Sequence, residues 1–516
     1  MTSASSLYRS LLIYGLCVPL AVLLGYRMAS PLDFTTFIVV GLVLFLLMIP
    51  LLLRWHFVWL IASWNMCVVL FFLPGQPQVG MVLAWLSLMI SIVQYILNRK
   101  LRFLHVPTVV RPLIFLAVVI LITAACTGGI GLRVFGSQIV GGKKYLMLIT
   151  AIVGYFALTA QRMPPQRAGF YVTLFFLGFA TQGVGDFVSL VNPFFYFIFL
   201  IFPVSNWAGF PNETVTRTIM IARPGGLAMV GSAVFCAMLS RYGIGELFSW
   251  RRAGRLLILL AFAVVGMMGG YRSIAIQLIL TFAALFYFEG LMRSRLLPAL
   301  ILLAVLGCAV LAPFTDRLPL NIQRSLSFLP LPIDPIARLD AQGSTEWRLN
   351  IWKHVWPQVP HYLLMGKGYS YDANDVPLLQ VMARTSESAG EGAELAGDYH
   401  NGPLSVIVSF GIFGVIGFVW FMVAALRVLH RNYQFGDPAH RHFNTFLLAY
   451  FVARTIAFIA VFGSLYSELA CFTGLVGLSI SLNGGVAKPA VVPQPVPVLD
   501  DLELEPAYAR KSLGVN

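Results

Sequence analysis

Charge is what this chain has least of: 11% of its 516 residues are Asp, Glu, Lys or Arg, against 59% hydrophobic. Soluble domains carry about 25% charged residues to face water, and the mean hydropathy here is +0.82. A soluble globular protein is thereby excluded, and the chain reads as an all-α polytopic membrane protein. Cysteine is also sparse: the six present (Cys17, Cys67, Cys126, Cys236, Cys308, Cys471) lie inside or at the ends of apolar segments, leaving no disulfide framework and no Cys-based metal site. Nor is there a P-loop, a dinucleotide-binding glycine signature, a His-rich ligand spacing or a Ser/His/Asp arrangement. The glycine runs near Gly128 and Gly141 lack the strand and helix context of a nucleotide loop, which argues against a soluble nucleotide donor and against any cofactor.

What is present is a series of apolar runs long enough to cross a hydrocarbon core of about 30 Å. They fall near 8–26, 34–53, 56–73, 79–97, 110–127, 145–161, 168–184, 218–240, 256–270, 273–290, 296–312, 403–427, 444–462 and 465–482, about 12–14 transmembrane helices. Phe187–Val204 is read as re-entrant or interfacial, because counting it as a span would put the Arg241–Arg255 cluster on the wrong side. Basic residues set the sidedness: Arg99, Lys100 and Arg102, Arg162 and Arg167, Arg241 to Arg255, Arg293 and Arg295, and Arg427 to Arg441 all belong in the cytoplasm. They cap apolar runs and form no aromatic-interleaved patch, so nucleic acid is not an expected partner. No A-x-A-like cleavage site follows the first run, which is read as a plain first span.

One stretch breaks the pattern. Residues 313–402 hold ten of the 21 acids, and sidedness puts this loop outside, at the periplasmic face. The expected organisation is a transmembrane region over 1–312, a large periplasmic loop with short helices over 313–402, C-terminal transmembrane helices over 403–482, and a Pro-rich, acidic, disordered cytoplasmic tail over 483–516. Trp347, Trp352, Trp356, Tyr362, Tyr369 and Tyr371 argue that the loop is ordered. Ser344–Val359 has the spacing of an amphipathic helix, with Ser344 as N-cap and Arg348 one turn before Trp352 on the same face. A Gly366-Lys367-Gly368 turn follows, then a Ser, Glu and Gly-rich segment, Thr385–Gly397, read as a mobile lid.

His400 stands where the loop re-enters the membrane. An imidazole at that boundary can take a proton from a hydroxyl near neutral pH, and it can equally serve as a structural interfacial residue. External arginines run against the positive-inside bias: Arg272 opens a span, Arg217 and Arg223 flank the preceding one, and Arg133 sits in a glycine-rich loop. Guanidinium groups at such helix ends suit a diphosphate, which they grip by bidentate hydrogen bonds, although any one of them can snorkel to lipid head groups instead. Deeper in the apolar runs, Arg454 and Glu468 are read as a structural ion pair between adjacent helices.

With these residues in view, the chain resembles the O-antigen ligase and polymerase superfamily, membrane glycosyltransferases of the GT-C type. The resemblance covers mainly residues 215–482: Gly270-x-Arg272-Ser273, a long external loop, Arg348 with Trp352, Pro360 followed by Gly366-x-Gly368, and His400-Asn401 followed by Gly411 and Gly414. The last spacing is the specific element. The resemblance implies a metal-independent, inverting transfer of a glycan from an undecaprenyl-diphosphate carrier to an acceptor hydroxyl at the periplasmic face of a bacterial inner membrane. The acceptor would be lipid A-core or another glycan. His400 would be the general base and Arg272, Arg348 and Arg223 would bind the diphosphate, with Asn401 and Trp352 in support. Trp352 stands where many ligases have an aliphatic residue. A repeat-unit polymerase of the same family, a lipid-linked sugar flippase and a non-catalytic envelope scaffold are the alternatives; internal repeats, common in transporters, are absent.

Overall fold

The computed structural model describes residues 34–98, 103–131, 139–204, 223–249, 252–372 and 389–489, with Ile221 and isolated positions before residue 27. Arg133, Arg217 and nearly all of the expected tail lie outside them. The described residues are overwhelmingly helical. Eight helices among them are long and apolar enough to cross a membrane, and two shorter apolar ones, Ala253–Met268 and Arg272–Phe288, lie in the same series. This is a multi-pass, all-α membrane protein.

Packing in such a protein rests less on the hydrophobic effect than on close backbone approach and polar contacts. The helices Gly225–Leu247 and Ala253–Met268 meet through small residues. A Cβ on Gly231 would lie 2.4 Å from Gly266 Cα, and one on Gly269 would lie 2.5 Å from Ala228 Cβ. That crossing sets the ends carrying Arg223 and Gly270 side by side. On the other side of the molecule Gly142–Thr159 packs against Leu465–Asn483, and Pro107–Thr127 against Gly402–Phe435.

Several elements depart from the sequence reading. Runs 34–53 and 56–73 are not two spans: Phe34–Ser63 is one 30-residue helix with Pro50 inside it. His56, at the start of the second run, is buried, with Nδ1 2.8 Å from Ser87 Oγ and Nε2 3.1 Å from Gln161 Nε2. Phe187–Val204 is divided between the end of the Gln182–Val191 helix and a 3-10 helix, Pro193–Leu200. Asn192 separates the two and accepts a hydrogen bond from Phe194 N at 2.8 Å.

The helix in the polar stretch begins nine residues before its expected start. Asp334 is its N-cap, accepting from Ile336 N at 2.7 Å, Pro335 occupies the first turn, and the helix runs to Val355. Ser344 is therefore interior. Of the expected lid, Ala389–Ala396 is a helix packed against Pro335–Val355, and its Ala393 is buried in a small apolar cluster with Ile351, Val355, Tyr399, Leu404 and Val408. Residues 385–388 lie outside the described set.

Two contacts pin the polar stretch to the helical bundle. The first lies at 369–372, where Tyr371–Asp372 pairs antiparallel with Ile139–Val140 and Tyr369 N donates to Tyr145 Oη at 2.9 Å. The second contact depends on glycine. Gly411 interrupts the Gly402–Phe435 helix with φ 62° and ψ −162°, which frees backbone groups for the loop: Lys367 N donates to Val408 O at 2.8 Å, Gly368 N to Ser409 O at 3.0 Å, and Ile412 N to Leu363 O at 2.7 Å. A Cβ on Gly411 would lie 2.6 Å from Leu364 O. The glycine after His400-Asn401 thus lets a broken helix accept the loop as if it were a neighbouring strand.

Candidate active site

The helix Pro335–Val355 organises the site, because residues three and four apart share a face. At its start, Asp340 is 6% exposed and takes two arginines: Arg223 Nη2 at 3.1 and 3.0 Å from its two oxygens, and Arg324 through Nε. Arg324 is itself buried and also donates to Gly270 O. One turn on, Arg272 Nη2 donates to Ala341 O at 2.7 Å and to Thr345 Oγ1 at 2.9 Å. Arg348 follows on the same face, and its guanidinium lies 5.7 Å from the centre of the Phe462 ring.

Four guanidiniums therefore lie within electrostatic reach of one another, and two of them share one carboxylate. Among the described residues no second carboxylate pairs with any of them. Burial, reinforced by Arg272, Arg324 and Arg223, pushes Arg348 down to about 10. It remains protonated at neutral pH, but its charge is poorly compensated, and the Arg223 Nε is also buried without a hydrogen-bond partner among the described residues. Such a cluster is built to take a multivalent anion.

His400 faces the same ring. Its imidazole lies 5.1 Å from the centre of Phe462 and 4.9 Å, edge-on, from Trp347, so Phe462 has the histidine and Arg348 both against it. Its backbone is held in the left-handed region, φ 49°, where a side chain bearing a Cβ is uncommon. The flanking residues account for that conformation. Trp352 Nε1 donates to Tyr399 O at 3.1 Å. Asn401 caps the Gly402–Phe435 helix by accepting from Leu404 N at 3.0 Å. A Cβ on Gly402 would lie 2.2 Å from Phe458 O, so only glycine fits against the Arg441–Ala460 helix there.

Burial lowers His400 below the ordinary imidazole value of 6.5, Asp398 opposes this, and Arg348 and Lys144 add to it. The imidazole is consequently a neutral base near pH 7. Asp398 accepts from Tyr466 Oη at 3.2 Å, and its other oxygen is buried without a hydrogen-bond partner.

The structure brings His400, Arg348, Arg272 and Arg223 into one region. It places Trp352 and Asn401 beneath them as backbone supports. Sequence reasoning missed Arg324, Asp340, Trp347 and Phe462. Arg324 lies on the short helix Leu320–Ser325, too brief to show periodicity, yet it shared the clue that singled out the other arginines, a basic residue on the side that disfavours one. Arg454 and Glu468 do pair, with Nε–Oε2 at 2.8 Å and Nη2–Oε1 at 2.6 Å. Among the described residues no group of three His, Cys, Asp or Glu is placed to hold a metal ion.

The site of this multi-pass membrane protein thus sets a cluster of four arginines, one of them buried, near a neutral histidine. The model of the O-antigen ligase family matches residues 256–419, a stretch that contains Arg272, Arg324, Asp340, Arg348, Trp352 and His400. The family match supports a function in glycan processing at a membrane. No curated protein matches the chain.

Proposed function

We propose that the chain is a membrane glycosyltransferase that moves a glycan from an undecaprenyl-diphosphate carrier to an acceptor hydroxyl at the periplasmic face, as an O-antigen ligase does. The observation that carries this reading is the pair of groups against Phe462: a neutral base, and an undercompensated arginine that three more arginines reinforce. In the proposed step the acceptor oxygen bonds to the anomeric carbon as its proton passes to His400. The bond from that carbon to the carrier phosphate breaks, and the diphosphate leaves with the electron pair. Arg348 and Arg272 neutralise the charge that grows on it, while Arg223 and Arg324, already shared with Asp340, hold the field in place. Direct displacement inverts the anomeric centre.

Fixed dipoles and cations aimed at developing charge contribute most where water is excluded. The indole of Trp347 and the ring of Phe462 provide that surround for His400.

A strain lacking the protein is expected to accumulate long polymer on the lipid carrier with none transferred, and complementation with Arg348→Ala should leave that profile unchanged. A single repeat unit reaching the surface would instead mark a polymerase. Normal surface glycan in the Arg348→Ala strain would contradict the diphosphate role of that residue.

A further inference from the structure

The two helices that place Arg223 and Gly270 at the candidate site, Gly225–Leu247 and Ala253–Met268, carry a second basic cluster at their other ends. It lies about 20–25 Å away at the helical rise per residue. A cavity of about 650 Å³ opens there, lined among others by Phe170, Arg241, Tyr242, Glu246, Arg252 and Arg255. Its shape follows from a break in the first helix. Gly243 has φ 63°, and the carboxylate of Glu289 caps the restarted turn, accepting from Ile244 N at 2.9 Å and Gly245 N at 3.3 Å. Glu289 is therefore engaged by backbone, and Glu246 is left as the carboxylate lining the cavity.

Three guanidiniums line the cavity with that one carboxylate. Arg252 pairs with Glu246. Arg255 reaches it only at 3.7 Å and stacks 3.9 Å from the centre of the Tyr242 ring, while its Nη1 is buried without a hydrogen-bond partner among the described residues. Arg241 lies 5.7 Å from the same ring and pairs with no carboxylate among the described residues. Beside these cations the wall is mixed, with Gln166, Thr173 and His442 among Phe170, Ala439 and Phe443, and Phe170 is 53% exposed at the edge of a candidate membrane span. Guanidinium donors at helix ends next to an exposed aromatic wall match an amphiphile with an anionic head and a hydrocarbon body.

We propose that this cavity binds the phosphate-bearing head group of an anionic glycerophospholipid, held by Arg241 and Arg255 across Tyr242 at the membrane face opposite His400. The site does not depend on the transferase reading, and none of its residues touches the candidate active site.

Native mass spectrometry of the full chain in detergent, titrated with phosphatidylglycerol, phosphatidylcholine or inorganic phosphate, tests it. Phosphatidylglycerol should be retained about tenfold more tightly than phosphatidylcholine, and Arg241→Gln with Arg255→Gln should remove that preference. Glu246→Gln, which frees Arg252 and Arg255 without deleting a cation, should strengthen retention; this keeps the test decisive if the double variant fails to fold. Equal retention of the two lipids, an undiminished preference in the double variant, or weaker retention in Glu246→Gln would overturn the proposal. So would displacement of the lipid by millimolar inorganic phosphate, which would mark a site for a free anion.

Discussion

At His400 two costs are accepted in one residue: a left-handed backbone and an imidazole whose charging is opposed by burial. Strain of this kind persists only where the surroundings over-determine it, and here a tryptophan N–H, an asparagine cap and a glycine contact do so. The lowered basicity has a definite sign. A general base must be unprotonated, so transfer should be flat near neutrality and fall only as the pH drops through a midpoint below the ordinary value of 6.5. Asp398 raises that midpoint, so Asp398→Asn should move the acid limb to lower pH in a pH–rate profile. A limb that stays in place in this variant would belong to some other group. His400 was legible from its position at the membrane boundary; its partners Trp347 and Phe462 were not, because an aromatic in an apolar protein carries no signal until the fold places it.

Among the elements, the helix Pro335–Val355 and the broken helix Gly402–Phe435 hold the two halves of the site. Arg272, Arg348 and Trp352 could be picked from the sequence because helical spacing and sidedness set them apart. The true helix start could not, since Asp334-Pro335 follows a Pro-rich turn that reads as loop. The spacing from His400-Asn401 to Gly411 was visible as a pattern, and its cause is the backbone pairing of residues 363–368 with 408–412. Gly411→Ala is expected to cost about 1–3 kcal/mol, because φ 62° with ψ −162° is a region that essentially only glycine occupies, with the contact to Leu364 O at 2.6 Å adding to it. That should lower the thermal midpoint by about 1–3 °C and reduce turnover as the loop loses its dock. An unchanged midpoint and rate would mean that the helix can straighten without disturbing the loop.

For the whole molecule, hydropathy gave the class of fold, while the division of spans was harder to read. Runs 34–53 and 56–73 read as two spans, whereas one helix joins them as far as Ser63 and the structure satisfies His56 inside the bundle. Sidedness, which the proposed reaction requires, can be tested directly. In a chain whose native cysteines are replaced, Leu339→Cys should react with a membrane-impermeant maleimide added to spheroplasts, and Gly254→Cys only after the membrane is opened. The reverse pattern would put the arginine cluster on the cytoplasmic side and remove the proposed donor. The central claim is that His400 is the base in a transfer from a polyprenyl-diphosphate glycan, and purified protein with a synthetic donor of that class and a hydroxyl acceptor measures it. Wild type should form the glycoside and release the diphosphate carrier, while folded His400→Ala should lose transfer by about 10²–10⁴-fold, the range for removal of a general base; full activity in His400→Ala would contradict the account.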